Sequence, residues 1–403
     1  MRESIFSALS VVIQRHSILS AIPVDEDSTT PYFARLREIN LEDAVTFFTR
    51  QKPFNRYGPD PELDSLLEKQ HNINFKTSYG TLPFWRLLVL TNTKLEKEFV
   101  ASFIYHHALG DGASGIAFQK HFHSTLAAAP APLKSKIIYP PKTPLLPNLE
   151  LLHPLPTPPP SPPSSTPTTL WTAGPIHLPL QSLFQSLVLP ADLTQRLLHA
   201  CRVHNTTITP TLAVLVARAL AQLLPPGFTH MHCTLPVSIR HWLPQDVVTE
   251  DAMGVWIDAL SIPYARADLL EGFPWEEARR GRDVVRRYLE SGGQRINVAR
   301  IKQRRDMRGT FLAMVGRERD SSFEISNLGV LRGGEGEGRW KTGRWRFSRS
   351  AFVAGGAFSI GVITGTDGCL CLGFSWQEGV IDRALIGDVV EMVRVEIEHL
   401  AGE

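Results

Sequence analysis

The chain contains the stretch His106-His107-Ala108-Leu109-Gly110-Asp111-Gly112. This stretch directly follows an apolar run at residues 99–105, and such a run, bounded by a glycine-containing turn, predicts a buried strand. Residues 114–119 predict the start of a helix. The second histidine therefore lies where a strand ends and a loop begins, which is a place where a rigid scaffold can present a side chain to a cavity.

The residue types in this loop indicate proton transfer. A neutral imidazole accepts a proton from a hydroxyl or an amine near neutral pH, because its unperturbed pKa lies close to the working pH. We therefore predict that His107 is a catalytic general base. His106 faces the opposite way on an extended backbone, which favours packing or hydrogen bonding and leaves a direct role in substrate or oxyanion binding open. Asp111 can turn back and fix the loop, and Gly112 is expected for backbone angles that a side chain would forbid.

Two polar residues in the second half of the chain are further candidates. Ser326 and Asn327 follow a strand-like segment at residues 323–325. A hydroxyl or an amide at this place could polarise a carbonyl oxygen or line a channel for a thioester. Side-chain hydrogen bonds that close a turn explain the same two residue types equally well.

These motifs resemble the acyltransferase superfamily typified by chloramphenicol acetyltransferase, which includes the plant BAHD enzymes, the condensation domains of peptide synthetases and the fungal alcohol acetyltransferases. The pattern H-H-x-x-x-D-G carries the resemblance first. Three further groups of segments follow in the family's order, at residues 235–240 with 253–256, at 325–329 and at 370–382. The D-F-G-W-G motif of BAHD enzymes is absent from the sequence, so the resemblance is closest to the fungal alcohol acetyltransferases.

The resemblance implies an α+β protein with a two-lobed, chloramphenicol acetyltransferase-like fold. Each lobe would be a mixed β-sheet with helices, and an active-site channel would run between the lobes. We expect residues 1–127 to form the N-terminal lobe with the motif, residues 128–175 a proline-rich linker, and residues 176–403 the C-terminal lobe. The motif histidine comes early in the chain for this family, so the N-terminal lobe is expected to be shortened.

The resemblance also implies an activity and roles for the motif residues. An acyl group, with acetyl as the expected one, would pass from acetyl-CoA to an alcohol, with His107 as the base and acetyl-CoA as a co-substrate rather than a bound cofactor. Asp111 could orient His107 as in a triad, but the family implies a structural salt bridge to an arginine. Arg240 is the candidate partner, and Arg86 is also well placed in the sequence. The alternatives are a condensation-type enzyme that uses a carrier-bound acyl group and an inactive, shortened homologue that only binds a ligand.

The composition, and the motifs that the sequence lacks, argue against several other functional classes of protein. A net charge of +2 gives no electrostatic footprint for nucleic acid, and no run of about 18 apolar residues predicts a transmembrane helix. Neither G-x-S-x-G nor H-E-x-x-H occurs, and His121 and His123 lack partners at metal-ligand spacing, so no metal site is expected. The four cysteines predict buried free thiols in a reducing, cytoplasmic setting. Secondary metabolism is the expected context, and a monomer is the working expectation for an oligomeric state that the sequence does not determine.

Overall fold

The fold is taken from a computed structural model, which describes residues 1–55, 58–92, 95–156, 169–304, 306–331 and 340–402. The proline cluster at residues 158–165, at the centre of the predicted linker, lies outside the described residues. The described part of the linker contains a short strand and a short helix. The predicted lobe boundaries stay predictions.

Ten α-helices occur in the described part of the chain. They are α1 (Arg2–Arg15), α2 (Leu41–Ala44), α3 (Pro61–His71), α4 (Gly112–Ala127), α5 (Leu149–Leu152), α6 (Ala191–Val203), α7 (Ile208–Leu223), α8 (Trp275–Glu290), α9 (Met307–Leu312) and α10 (Arg383–Leu400). Helix α7 is buried on nearly all sides, as its continuous apolar sequence predicts.

Thirteen strands occur in the same residues. They are β1 (Ala21–Val24), β2 (Tyr32–Arg35), β3 (Ile39–Asn40), β4 (Val45–Arg50), β5 (Trp85–Asn92), β6 (Leu95–Tyr105), β7 (Ile137–Ile138), β8 (Ser182–Leu189), β9 (His230–Ser238), β10 (Ile257–Ala265), β11 (Ser321–Val330), β12 (Gly356–Thr364) and β13 (Leu370–Gln377).

Two of the sheets position the candidate site. The larger has six strands in the order β10-β9-β11-β12-β13-β8, with β11 parallel to both of its neighbours and the other pairs antiparallel. The smaller has the order β4-β5-β6, in which β5 and β6 form an antiparallel hairpin and β6 is the strand predicted before the motif. Each sheet has its own hydrophobic core, so the chain builds two sheet-containing lobes.

Strand β6 leads directly into the motif. Its side chains Phe103 and Tyr105 pack towards α4, where the rings of Phe103 and Phe118 stack with their centroids 3.5 Å apart. The helix begins at Gly112, immediately after the motif aspartate. The hairpin, the motif loop and α4 therefore form one packed unit.

Candidate active site

The motif loop is a short 3-10 turn between β6 and α4. His106 precedes the turn, which spans His107–Leu109, and its Nδ1 accepts a hydrogen bond from the Ala108 backbone N–H at 3.2 Å. The His106 backbone N–H donates at 2.8 Å to the carbonyl of Phe84, which directly precedes β5. The residue before the turn is thus held by both its backbone and its side chain.

His106 packs among aromatic rings. Its ring centroid lies 5.4 Å from that of Phe84 and 6.0 Å from that of Phe75, both in edge-on arrangements. Burial lowers the pKa of His106, because the apolar surroundings disfavour the charged imidazolium. The side chain also borders the cavity described below, so contact with a substrate stays open as a prediction.

His107 is exposed and borders the same cavity. Within the described ranges, no group hydrogen-bonds to its imidazole ring, although its neighbours on both sides are held in place. A ring that carries no internal hydrogen bond keeps both nitrogens available to a ligand. The structure therefore presents, at the end of a strand, an imidazole whose two nitrogens carry no hydrogen bond from the described residues.

Asp111 is fully buried and accepts hydrogen bonds from three elements. It is the N-cap of α4, where its Oδ1 accepts from the Ser114 N–H and hydroxyl, both at 3.0 Å. Arg240 donates to both of its oxygens, at 2.7 and 2.8 Å, and the Trp256 N–H donates to Oδ2 at 3.1 Å. This carboxylate does not bond to the ring of His107, so the contacts are those of a loop anchor rather than of a triad.

Arg240 is as buried as its partner, with 0% of its side chain exposed. Its guanidinium also donates to the carbonyl oxygens of Ala252 and Gly254, both at 3.2 Å, and it lies over the ring of Trp256. Removing one member of such a buried pair costs about 3–5 kcal/mol, because the other charge is left uncompensated. The second arginine considered from the sequence, Arg86, instead donates to backbone carbonyls at the end of α3.

The prediction for Gly112 was wrong in its physical reason. Gly112 is the first residue of α4 and has no positive φ angle, so the backbone does not require a glycine. A Cβ at this position would lie 2.5 Å from Cδ2 of Leu328 on β11. The structural reason for the glycine is therefore the close approach of α4 to β11, since a side chain here would force the Leu328 side chain to move.

Ser326 and Asn327 lie inside β11 rather than after a strand, because the strand continues to Val330 with an irregularity beyond Asn327. The Asn327 amide donates to the Thr209 hydroxyl, and its oxygen accepts from the Gly329 N–H, both at 2.8 Å. Both residues border the cavity. The Asn327 side chain is therefore engaged in holding the strand irregularity. In the described part of the chain, no hydrogen bond occupies the Ser326 hydroxyl.

One large cavity joins these residues. Its volume is about 2150 Å³, and its walls come from both sheets and from helices α3 and α4. Single-ligand pockets are commonly about 300–1,000 Å³. The cavity therefore has room for two substrates around His107, and the motif residues that border it are His106, His107, Asp111, Gly112, Ser326 and Asn327.

One wall of the cavity was missed by the sequence analysis. Residues 340–350, called here the 340–350 segment, run without regular structure over the face of the large sheet. Their backbone lies directly on glycines, since a Cβ on Gly361 or Gly373 would meet the Phe347 carbonyl oxygen at 2.7 or 2.5 Å. Glycines at these positions of two adjacent strands are the signal that could have indicated a crossing segment.

The 340–350 segment is rich in cations. Arg346 pairs with Asp64 on α3 at 2.7 Å, and Arg349 pairs with Glu324 on β11 at 2.5 Å. Lys341 is exposed, borders the cavity and pairs with no acidic side chain in the ranges that the structure describes. This wall therefore combines ion pairs that fix it to α3 and to the large sheet with a cation, Lys341, that is available to a ligand.

The described residues also bear on metal binding and on membrane insertion. Among the residues described, no cluster of three or more His, Cys, Asp or Glu side chains could bind a metal ion, and all four cysteines are free and buried. No single described helix has the length and apolar character needed to cross a membrane. The bent pair α6 and α7 meets the length and composition test only when both helices are taken together.

The chain is similar to known proteins over most of its length. A family model described as alcohol acetyltransferase matches residues 28–158. A probable alcohol acetyltransferase of Aspergillus fumigatus is 39% identical over 95% of this chain and 87% of its own length. A probable alcohol acetyltransferase of Fusarium pseudograminearum is 25% identical over 57% of this chain and 48% of its own length.

Solved structures share the fold at low sequence identity. A trichothecene 15-O-acetyltransferase from Fusarium sporotrichioides superposes with a TM-score of 0.69 and 13% identity, covering 99% of this chain and 86% of that one. The first condensation domain of the CDA synthetase gives a TM-score of 0.64 and 13% identity, covering 100% and 88%. These likenesses confirm the predicted two-lobed, chloramphenicol acetyltransferase-like fold.

Proposed function

Because the chain belongs to the alcohol acetyltransferase family and is an acyltransferase, we propose that it transfers an acetyl group from acetyl-CoA to the hydroxyl of a small-molecule alcohol. His107 is the general base of this proposal. The observation that carries it is the imidazole of His107, exposed to a cavity that both sheets enclose and without an internal hydrogen bond.

The proposed reaction is a direct transfer. One ring nitrogen of His107 takes the proton of the acceptor hydroxyl while the hydroxyl oxygen attacks the thioester carbonyl carbon. The tetrahedral intermediate then collapses, the carbon–sulfur bond breaks, and the leaving thiolate takes the proton back from the imidazolium. The products are an acetate ester and free coenzyme A, and the base returns to its neutral form.

Of the two candidates on β11, Ser326 is the better one for the developing oxyanion. Its hydroxyl borders the cavity and carries no hydrogen bond among the described residues, whereas the Asn327 amide already bonds to Thr209. A hydroxyl without an internal partner can donate to charge that develops in the transition state. Asn327 is better suited to hold the strand that carries Ser326.

Asp111 and Arg240 contribute to the proposed reaction by positioning the loop that carries His107. Their ion pair fixes the first turn of α4 and the loop that carries His107. Holding reacting groups in line is a large part of the catalytic effect in two-substrate reactions. Gly112 contributes by letting α4 approach Leu328 on β11.

The direct test measures release of free coenzyme A from acetyl-CoA by the purified full chain, with a panel of alcohols. Release that depends on the alcohol should fall about 10²–10⁴-fold in His107→Ala. The matched control is His199→Ala, because His199 is an exposed histidine on α6 that does not border the cavity.

Three other outcomes would refute the proposal. Unchanged release in His107→Ala would remove His107 as the base. Turnover only with an acyl group on a carrier protein would favour a condensation-type enzyme. A folded wild type that is inactive with every donor and acceptor would favour an inactive, ligand-binding homologue.

A further inference from the structure

Glu324 is a carboxylate at the cavity wall that the proposed reaction does not use. It lies on β11 two residues before Ser326, and both side chains border the cavity. Alternate residues of a strand point to the same face of the sheet, and two residues span about 7 Å. Glu324 therefore lies one step along the strand from the hydroxyl proposed to bind the oxyanion.

Arg349 of the 340–350 segment holds this carboxylate in place. Its Nη2 lies 2.5 Å from Oε1 of Glu324, and the two side chains are only 15% and 10% exposed. The guanidinium also lies over the ring of Phe352, 4.6 Å from the ring centroid, and both of these residues border the cavity. The ion pair is therefore a fixed part of the cavity wall.

Stability alone gives little reason for a charged pair at this position. Removing two charges from water costs free energy that their attraction repays only in part, and apolar residues of similar size often stabilise a buried site as well or better. The neighbouring positions of the sheet are also polar, because the register places Ser359 on β12 beside Glu324 and Ser375 on β13 beside Ser359. A few polar groups at a fixed place in a cavity wall are typical of a site that orients a ligand.

The pair lies to one side of the motif loop. Gly112 lies against Leu328, which is four residues, or about 14 Å, further along β11 than Glu324. Strands β11 and β12 are parallel, so both begin at the same end of the sheet. The pair therefore lies towards the end of the sheet at which these two strands begin.

Lys341 borders the cavity at the opposite end. The carbonyl of Gly343, two residues later, accepts a hydrogen bond from the N–H of Thr366, which follows the end of β12. The phosphates of coenzyme A are attracted to a cation more strongly than to an ion pair whose charges cancel. This difference favours the end with Glu324 and Arg349 for the alcohol.

We propose that the Glu324–Arg349 pair binds a second hydroxyl group of the acceptor, so that the substrate is a diol or polyol rather than a simple aliphatic alcohol. The carboxylate accepts a hydrogen bond from this hydroxyl, and the guanidinium donates one to it. A neutral group fits because the charges of the pair already compensate each other. The two hydroxyls are about 7 Å apart, which is about six bonds of an extended chain. This inference rests on the proposed function and adds the class of the acceptor.

The first test compares two acceptors of equal size, pentane-1,5-diol and hexan-1-ol, with acetyl-CoA and the full chain. The two alcohols differ only in a terminal hydroxyl in place of a methyl group. The kcat/KM per reacting hydroxyl should be about 10- to 100-fold higher for the diol, because hexan-1-ol leaves the pair without its hydrogen bonds. Equal values for the two alcohols would overturn the proposal.

The second test measures the same ratio in Glu324→Gln, where it should fall about tenfold. A ratio of two substrates on one preparation does not depend on the folded fraction. If this variant does not fold, the double variant with Arg349→Gln takes its place, because it leaves no charge unpaired. The matched control is Glu398→Gln, since Glu398 pairs with Arg394 on α10 at 2.5 Å and does not border the cavity. A ratio unchanged from that of the wild type would overturn the proposal.

Two charged analogues test whether the bound group is neutral. In 5-aminopentan-1-ol and 5-hydroxypentanoate, a cation or an anion replaces the second hydroxyl of the diol. Both should be poorer acceptors than the diol, because either charge would be left uncompensated beside the pair. A higher kcat/KM for either analogue than for the diol would overturn the assignment to a hydroxyl.

These results separate the acceptor class from the activity. Transfer that depends on His107 but shows no preference for the diol would leave the proposed function standing and remove the acceptor class. Absence of transfer to every alcohol would remove the proposed function and the acceptor class together.

Discussion

Asp111 and His107 lie four residues apart, but their side chains differ in burial and in hydrogen bonding. The carboxylate of Asp111 is 1% exposed and bonded to Arg240, Ser114 and the Trp256 backbone. The imidazole of His107 is exposed and bonded to no group in the ranges that the structure describes. The loop therefore has a fixed end and a free end.

This difference indicates that the residue that stabilises the loop and the residue proposed to react are separate, although both lie in the same short loop. A buried charge pair is sensitive to the loss of either partner, whereas an exposed side chain without contacts contributes little to folding. Substitutions at the two ends of the loop should therefore have separate effects on activity and on stability.

The largest effect should come from the free end. His107→Ala removes the proposed base, and the loss of acetyl transfer of about 10²–10⁴-fold should come without a loss of folding stability. Thermal unfolding of the variant measures whether its folding stability is unchanged. A fall in Tm by several degrees would mean that His107 also holds the loop, and the contrast with Asp111 would fail.

At the fixed end, a substitution of Asp111 should change the free energy of unfolding before any other property. Asp111→Ala leaves the Arg240 guanidinium buried without its partner, so the free energy of unfolding should fall by about 3–5 kcal/mol in urea titrations. The double variant Asp111→Leu with Arg240→Met should lose less than the sum of the two single variants, because no charge remains unpaired. Additive losses would show that the two residues act independently.

The contact of Gly112 with Leu328 should give an intermediate effect. Gly112→Ala forces the new methyl group against the Leu328 side chain, which should cost about 1–3 kcal/mol of unfolding free energy. Adding Leu328→Ala should recover part of that loss. Gly387→Ala is the matched control, because Gly387 lies in α10 with open space around it and should gain about 0.5–1 kcal/mol.

The smallest expected effect is on the pH dependence of stability, and it concerns His16 and His121. Unlike His107, these two histidines are hydrogen-bonded to each other. His16 and His121 share a hydrogen bond of 2.7 Å between α1 and α4, and burial lowers the pKa of His16 to about 4. The unfolded chain binds this proton near pH 6.5, so the contribution is present above pH 6.5 and is lost as the pH falls towards 4.

Urea titrations between pH 7 and 4 would measure this loss, which should be of order 1 kcal/mol after solvent screening. His121→Gln keeps one hydrogen-bonding group and removes the second titrating ring, so the dependence on pH should become shallower. A steeper dependence in this variant would contradict the assignment to the pair.

The sequence predicted the parts of the site that depend on neighbours along the chain. The apolar run before His107 indicated a strand, and the strand, the loop and the helix occur in that order. Pairing between Asp111 and Arg240 was inferred from a family resemblance, because 129 positions separate them in the chain. No local pattern could have placed them in contact.

The parts that sequence reasoning missed depend on contacts between distant elements. Gly112 was assigned to backbone freedom, but the reason is its approach to Leu328, which is visible only once β11 and α4 are packed. The 340–350 segment contains no regular strand in the structure, and its position depends on the contact of its backbone with glycines of two other strands. Ser326 and Asn327 were placed after a strand, but β11 continues through both of them to Val330 with an irregularity beyond Asn327.

The contact between the 340–350 segment and two glycines has a consequence for where harmful substitutions can lie. Gly361 and Gly373 are partners on β12 and β13, and the Phe347 carbonyl lies against both of them. Neither glycine borders the cavity. A side chain at either position would nevertheless meet the backbone of the segment that forms a cavity wall. The shape of the cavity therefore depends on residues that a ligand in it would not touch.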